Sequence, residues 1–175
     1  EASASDYIDL VLANIGAETE STTVRTTLQQ LQLTANAYVA PATRDAARAK
    51  VADGLWALAQ EADAGSDSQL QFVTAFASAA ATDAHWEQVR RLRDGETVLE
   101  GLEIDADLSW ALLVSLAAGG RVTAADIDAA LAADNTAKGG DFAAQAKAAL
   151  PTVDAKRQAW ASLVDSADLP NTVVR

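Results

Sequence analysis

The stretch Val51-Ala52-Asp53-Gly54-Leu55-Trp56-Ala57-Leu58-Ala59-Gln60-Glu61-Ala62-Asp63-Ala64-Gly65-Ser66-Asp67-Ser68-Gln69 decides the fold class. Val51, Leu55, Leu58 and Ala62 recur at the spacing of one face of a 3.6-residue helix. Gly65 suits the C′ position that ends such a helix, and Ser66 followed three residues later by Gln69 writes a capping box for the next. The same spacing recurs upstream in Val24, Leu28, Leu31 and Ala35, and downstream in Leu108, Leu112, Ser115 and Leu116. Strand-like alternation of comparable length is absent. Alanine makes up roughly a quarter of the chain, a composition that favours helix at nearly every interior position. The fold class is therefore all-α.

Start and stop signals divide the chain into about nine helices. The first is expected over Asp6 to Asn14, ending at Gly16, and the second over Ser21 to Tyr38, ending before Pro41. The third covers Thr43 to Ala64 and the fourth runs from the Ser66 cap to Ala81. Asp83 caps a fifth that ends near Asp94, with Arg90, Arg91 and Arg93 complementing the carbonyl end of the helix dipole. Gly95 to Glu103 is the longest loop. The sixth helix starts after Asp105 or Asp107 and ends at Gly119 and Gly120. Thr123 with Asp126 launches the seventh, which ends near Ala133. A turn over Asp134 to Gly140 precedes an eighth helix over Asp141 to Leu150, and Pro151 with Thr152 separates it from a ninth ending near Asp165. Leu169 to Arg175 reads as irregular. Short turns make sequential helices antiparallel, and nine modest helices exceed what one four-helix core covers. The expected architecture is a single domain over residues 1–175, a right-handed α-α superhelix of antiparallel hairpins of the HEAT or armadillo kind.

Composition narrows the function. The 175 residues are half hydrophobic and 22% charged, long enough for one domain and too apolar for a disordered chain. No stretch approaches the ~20 apolar residues a bilayer demands, and no charged and apolar leader opens the chain, so neither a membrane partner nor export is expected and the location reads as cytoplasmic. The excess of 25 acids over 13 bases gives a net charge of -12, which repels phosphate backbones and argues against nucleic acid. Zero Cys removes disulfides and thiolate chemistry, and a single His removes any site that needs two imidazoles. The chain also contains no Met, so it reads as a trimmed fragment of a larger protein.

Few constellations carry chemistry. His85, in His85-Trp86-Glu87-Gln88-Val89, lacks the second His that a zinc helix places at i+4, and it reads as a packing residue. Glu103, Asp105 and Asp107 alternate like the start of an EF-hand loop, but Leu108 stands where the loop needs Gly and Val114 where it needs Glu. Their expected work is helix capping. Gly119-Gly120-Arg121 and Lys138-Gly139-Gly140 lack the order of a phosphate loop and read as C-caps and turns. Gly65-Ser66-Asp67 lacks the glycine spacing of a nucleophile elbow. Trp56, Trp86, Trp110 and Trp160, with Phe72, Phe76 and Phe142, read as core anchors in preference to a ligand groove. No catalytic, cofactor-binding or metal-ligating residue is assigned.

Two ordered runs carry a resemblance. Gly65-Ser66-Asp67-Ser68-Gln69-Leu70-Gln71-Phe72 and Gly101-Leu102-Glu103-Ile104-Asp105-Ala106-Asp107-Leu108-Ser109-Trp110 resemble the C-terminal helical domain of bacterial aminopeptidase N, in the HExxH zinc aminopeptidase family, which is related to the endoplasmic-reticulum aminopeptidase C-terminal domain. Gly119 to Arg121, Ile127 with Leu131, Asp134-Asn135-Thr136-Ala137-Lys138-Gly139, Ala148-Ala149-Leu150-Pro151, Lys156, Ala159-Trp160 and Asn171 extend the series. The resemblance implies a non-catalytic domain that stacks helices into a curved superhelix over an active-site cavity. It implies zinc and HExxH on a catalytic domain of the same polypeptide, and peptide substrates whose N-terminal residues are removed. No family catalytic residue matches a position here. The chain departs from the family at Ser109, where Arg often precedes the tryptophan, so a contact made by that Arg does not carry over. Without the resemblance, the same helices read as a stand-alone helical-repeat interaction module.

Overall fold

Short polar side chains start most of the helices. Ser3, Ser66, Thr82, Asp105, Thr123 and Thr136 each accept a hydrogen bond from the backbone N–H three residues on, satisfying a donor that the first turn leaves unpaired. The computed structural model describes residues 3–165. Among these residues run nine α-helices and no strand: α1 (Ala4–Asn14), α2 (Ser21–Leu33), α3 (Arg44–Glu61), α4 (Asp67–Ala79), α5 (Asp83–Arg93), α6 (Ala106–Ala118), α7 (Ala124–Ala133), α8 (Ala137–Ala149) and α9 (Val153–Asp165). The all-α class holds. The segment from Leu169 lies outside the described residues.

Several boundaries differ from expectation, each for a local reason. α1 begins earlier than Asp6, because Ser3 and Asp6 form a reciprocal capping box. α2 stops at Leu33 and continues as a π-helical turn over Thr34–Tyr38, closed by the Val39 N–H on the Thr34 carbonyl at 3.2 Å. That wider turn keeps both Ala35 and Val39 buried ahead of Pro41. α3 ends at Glu61, so Gly65 lies beyond the C′ position. The Gln69 side chain accepts from the Gly65 N–H at 2.9 Å, one residue upstream of the arm a capping box would make. α4 ends at Ala79, and α5 is capped by Thr82, not Asp83.

The chain divides into two compact units, residues 1–103 and 104–175. In the first, α3 lies against α4 along most of its length. Their shared core holds Val51, Leu55 and Ala59 of α3 with Phe72, Val73 and Phe76 of α4. α2 adds Val24, Leu28 and Leu31. The turn after α3 meets the loop after α5 backbone to backbone. Gly65 and Gly101 both adopt positive φ, 70° and 73°. A Cβ on Gly101 would stand 2.4 Å from the Gly65 nitrogen. Only glycine meets both demands. The loop is held at its other end by Arg90, whose guanidinium donates to Glu87, Asp94 and Glu96 at 2.7–3.1 Å.

In the second unit, α6, α7 and α8 enclose Trp110, Leu113, Ala117, Ile127, Ala143, Ala146 and Leu150, and Ala155 of α9 packs on that cluster. Gly119 and Gly120 end α6 as expected: the Arg121 N–H reaches the Leu116 carbonyl at 2.8 Å and the Gly120 N–H reaches Ala117 at 3.0 Å. Among the described residues no helix is long and apolar enough to cross a membrane.

Two outcomes follow from this packing. Gly101→Ala forces the backbones apart and strains a left-handed residue, and urea unfolding should show a loss of at least about 2 kcal/mol. The second concerns acid. Hydrogen bonds from the Ser3 backbone and then its hydroxyl hold Asp6 below the usual carboxylate range, the Ser21 hydroxyl and then Gln71 do so for Asp67, and Arg90 does so for Glu87 and Glu96. A carboxylate depressed on folding contributes stability that is complete above its unfolded value and is lost as pH falls through the folded one. Thermal melts should therefore fall as pH drops below about 4.5, and Arg90→Gln should flatten that acid limb.

Candidate functional site

The imidazole singled out in the sequence is buried and fully engaged. His85, in the first turn of α5, places Nε2 2.9 Å from Asp53 Oδ1 on α3, while its Nδ1 accepts the Ala81 N–H at 3.3 Å. An acceptor at Nδ1 puts the ring proton on Nε2, which donates to Asp53. Phe76 meets the ring edge to face at 6.0 Å. The residue ties α3 to the α4–α5 turn and has no nitrogen left for a ligand. Asp53 was not legible as its partner, because the two stand far apart in sequence.

The alternating acids separate into different tasks. Asp105 caps α6, accepting the Leu108 N–H at 2.8 Å, and Asp107 pairs with Lys138. Glu103 is exposed. Among the described residues no three His, Cys, Asp or Glu side chains come together as a metal site. Ser66 is spent on the cap of α4.

A polar cluster built on a buried indole lies in the second unit, where α6 and α8 start side by side. The buried Trp110 indole donates through Nε1 to Asp134 Oδ2 at 2.8 Å, and Thr136 donates to the other carboxylate oxygen at 2.9 Å. The Thr136 hydroxyl in turn accepts the Gly139 N–H at 2.9 Å, which caps α8. A Cβ on Gly139 would stand 2.4 Å from the Asp134 carbonyl oxygen, so the glycine lets the helix press onto the preceding turn. Lys138 and Gly139 therefore lie in the first turn of α8, not in the turn expected over Asp134 to Gly140. The expectation failed because paired glycines weigh against helix unless a close approach requires them. Phe142 stacks on Trp110 at 6.0 Å and 14°, and Lys138 Nζ sits 5.7 Å from the Phe142 centroid. Ser109 is half-buried beside this cluster on α6.

The aromatics divide. Phe72, Phe76 and Trp110 are buried as core anchors, and Trp56, Trp86 and Phe142 are half-buried. Trp160 departs from expectation: it stands out from α9 at 70% exposure, because α9 turns Ala155 towards the core. It lines an open groove with Pro151, Thr152, Val153, Lys156 and Arg157. Lys156 Nζ donates to the last carbonyls of α8, Ala148 at 2.6 Å and Ala149 at 3.4 Å, closing the α8–α9 corner.

The engaged imidazole, the separated acids and the spent serine describe helix caps and ties, with no assembled reaction centre among the described residues. A family model described as ERAP1-like C-terminal domain matches residues 1–175. Aminopeptidase N of Streptomyces lividans is 40% identical over 173 residues, which cover 99% of this chain and 20% of the relative. The chain thus spans one fifth of that relative's length.

Asp134→Ala strands the buried indole N–H and frees Thr136, and should cost about 1–3 kcal/mol in chemical unfolding. Trp110→Phe, which removes the donor as well, should not add to it fully when the two are combined, a coupling that a double-mutant cycle reads directly.

Proposed function

Because the chain belongs to the ERAP1-like C-terminal domain family, we propose that it is the non-catalytic C-terminal helical domain of a zinc-dependent aminopeptidase, covering the active-site cavity and limiting which peptides reach it. The observation that carries this reading is the pair of coverages: nearly all of this chain aligns, but with only a fifth of an aminopeptidase N. Zinc does not fit the residues present. The sole imidazole is committed on both nitrogens, and no HExxH occurs in the sequence. The metal, the attacking water and the general base accordingly belong to a catalytic domain elsewhere in the parent polypeptide, which acts on peptide N-termini in a cytoplasmic setting. This chain contributes a wall: helices pinned by glycine contacts and caps, rigid enough to exclude substrates by shape.

The parent gene product should have several times the mass of this chain and carry HExxH. In assays with aminoacyl reporters, the parent should release product and bind zinc, and the 175-residue chain should do neither. Removing the chain from the parent should raise kcat/KM for long peptides relative to single-residue reporters. Turnover by the isolated chain, or an unchanged length preference, would overturn the reading.

A further inference from the structure

A small cleft in the first unit is rimmed by hydrogen-bond donors without acceptors. It opens where the π-helical turn after α2 meets α3 and the end of α4. Its floor is apolar, made by the buried Ala35 and Val51, and its rim is polar, made by Gln32, Asn36, Arg48 and Ser78. Gln32 is fixed there by its amide, which donates to the Ala75 carbonyl at 3.1 Å. Arg48 is half-buried, and among the described residues no carboxylate or carbonyl accepts from its guanidinium. The side chains of Asn36 and Ser78 likewise have no hydrogen-bond partner among the described residues. One turn earlier on α3, Arg44 donates to the Val39 carbonyl at 3.2 Å and keeps a buried Nε without an acceptor. Asp45 beside it forms an ion pair with neither arginine. Elsewhere in this unit a cation finds an acid, as Lys50 does in Asp9. A guanidinium withdrawn from water with no counter-charge is costly unless a further group supplies one.

We infer that this cleft binds a monatomic, monovalent anion, chloride being the commonest in solution, held by the Arg48 guanidinium with the Asn36 amide and the Ser78 hydroxyl as further donors. Charge, size and backbone geometry each select this ligand. A water molecule could satisfy the amide and the hydroxyl, but it brings no charge to the guanidinium. The cavity measures about 20 Å³. One water-sized sphere needs ~10–15 Å³, so the space admits a single atom of that order. Chloride is only slightly larger than water, whereas phosphate and sulfate carry a shell of oxygens that does not enter. The backbone departs from an α-helix over Thr34–Tyr38, and such wide turns occur mostly at functional sites. Here the turn carries Asn36 to the rim while Ala35 stays in the floor. The net charge of -12 disfavours loose attraction of anions to the surface, so binding depends on this local set of donors. A bound anion would clasp the end of α2 to α3 and α4. The inference rests on residues of this chain alone and is independent of the aminopeptidase reading.

Chlorine-35 NMR tests this on the parent polypeptide, with the 175-residue chain beside it. Bound chloride broadens the line of the free ion, and that excess width should fall severalfold in Arg48→Gln. It should fall as far in Ser78→Leu, which keeps the cation and covers the mouth of the cleft. Because the parent can hold chloride elsewhere, the readout is the difference between wild type and each variant. Bromide should displace the ion and narrow the line, and gluconate, too bulky to enter, should not. Chloride at about ten times its Kd should raise the melting temperature of the 175-residue chain by about 3–6 °C over sodium gluconate of equal ionic strength, a shift absent from both variants. Circular dichroism checks that the variants fold; Ser78 is exposed, so Ser78→Leu carries the test should Arg48→Gln unfold. Equal broadening in wild type and Ser78→Leu overturns the inference and leaves the cleft to water. So does acetate or phosphate displacing chloride as well as bromide does, which assigns the rim to oxyanions and removes the argument from size.

Discussion

The first unit depends on one place where two stretches of backbone touch. Gly65 and Gly101 approach so closely that neither tolerates a side chain, and both need a conformation that other residues adopt only at a cost. This contact joins the turn between α3 and α4 to the end of the loop after α5. The same loop is gripped at its start by Arg90 and by a C-terminal carbonyl of α5, where the Glu96 and Thr97 N–H groups donate to the Arg91 oxygen at 2.8 and 2.9 Å. A segment without secondary structure is thereby fixed at both ends within the first unit. Both runs that carry the family resemblance open on these glycines. The likeness is a signature of packing.

The second unit uses the same device in polar form. Trp110 brings a large apolar surface and a donor that must be satisfied once buried. Asp134 supplies the acceptor, Thr136 its second bond, and Gly139 the clearance that lets α8 begin there. The turn from Asp134 to Gly139, one of the segments that extend the family resemblance, is thus a hydrogen-bonded socket for one indole. Lys138, paired with Asp107 above the Phe142 ring, closes its exposed side. In both units the recognisable residues hold helices together, which suits a domain whose contribution is shape.

Much of the architecture was legible because helix starts and stops follow from single residues. The Thr123–Asp126 box, the Gly119–Gly120 end of α6 and the Asp105 cap stand where the sequence placed them. The failures share a cause. Thr136 lacks a Glu or Gln three residues on, and Gly139 and Gly140 lower helix propensity, so α8 appeared to start late until the contact with Asp134 explained the glycine. The Thr34–Tyr38 stretch was correctly helical, but nothing local distinguishes a π turn from an α turn; the burial of Val39 decides it. Partners such as Asp53 for His85 and Asp134 for Trp110 are set by tertiary packing, which one sequence does not display. Trp160 misled because an aromatic in a helical pattern normally faces inward.

The single imidazole has a practical consequence. His85 bridges α3 and the α4–α5 turn through both ring nitrogens, and no other histidine exists to overlap its signals. One pair of nitrogen-15 ring resonances therefore reports whether the first unit is intact. In a chain of repetitive, alanine-rich helices, where backbone spectra crowd together, this gives a background-free gauge of local opening that requires no engineered label.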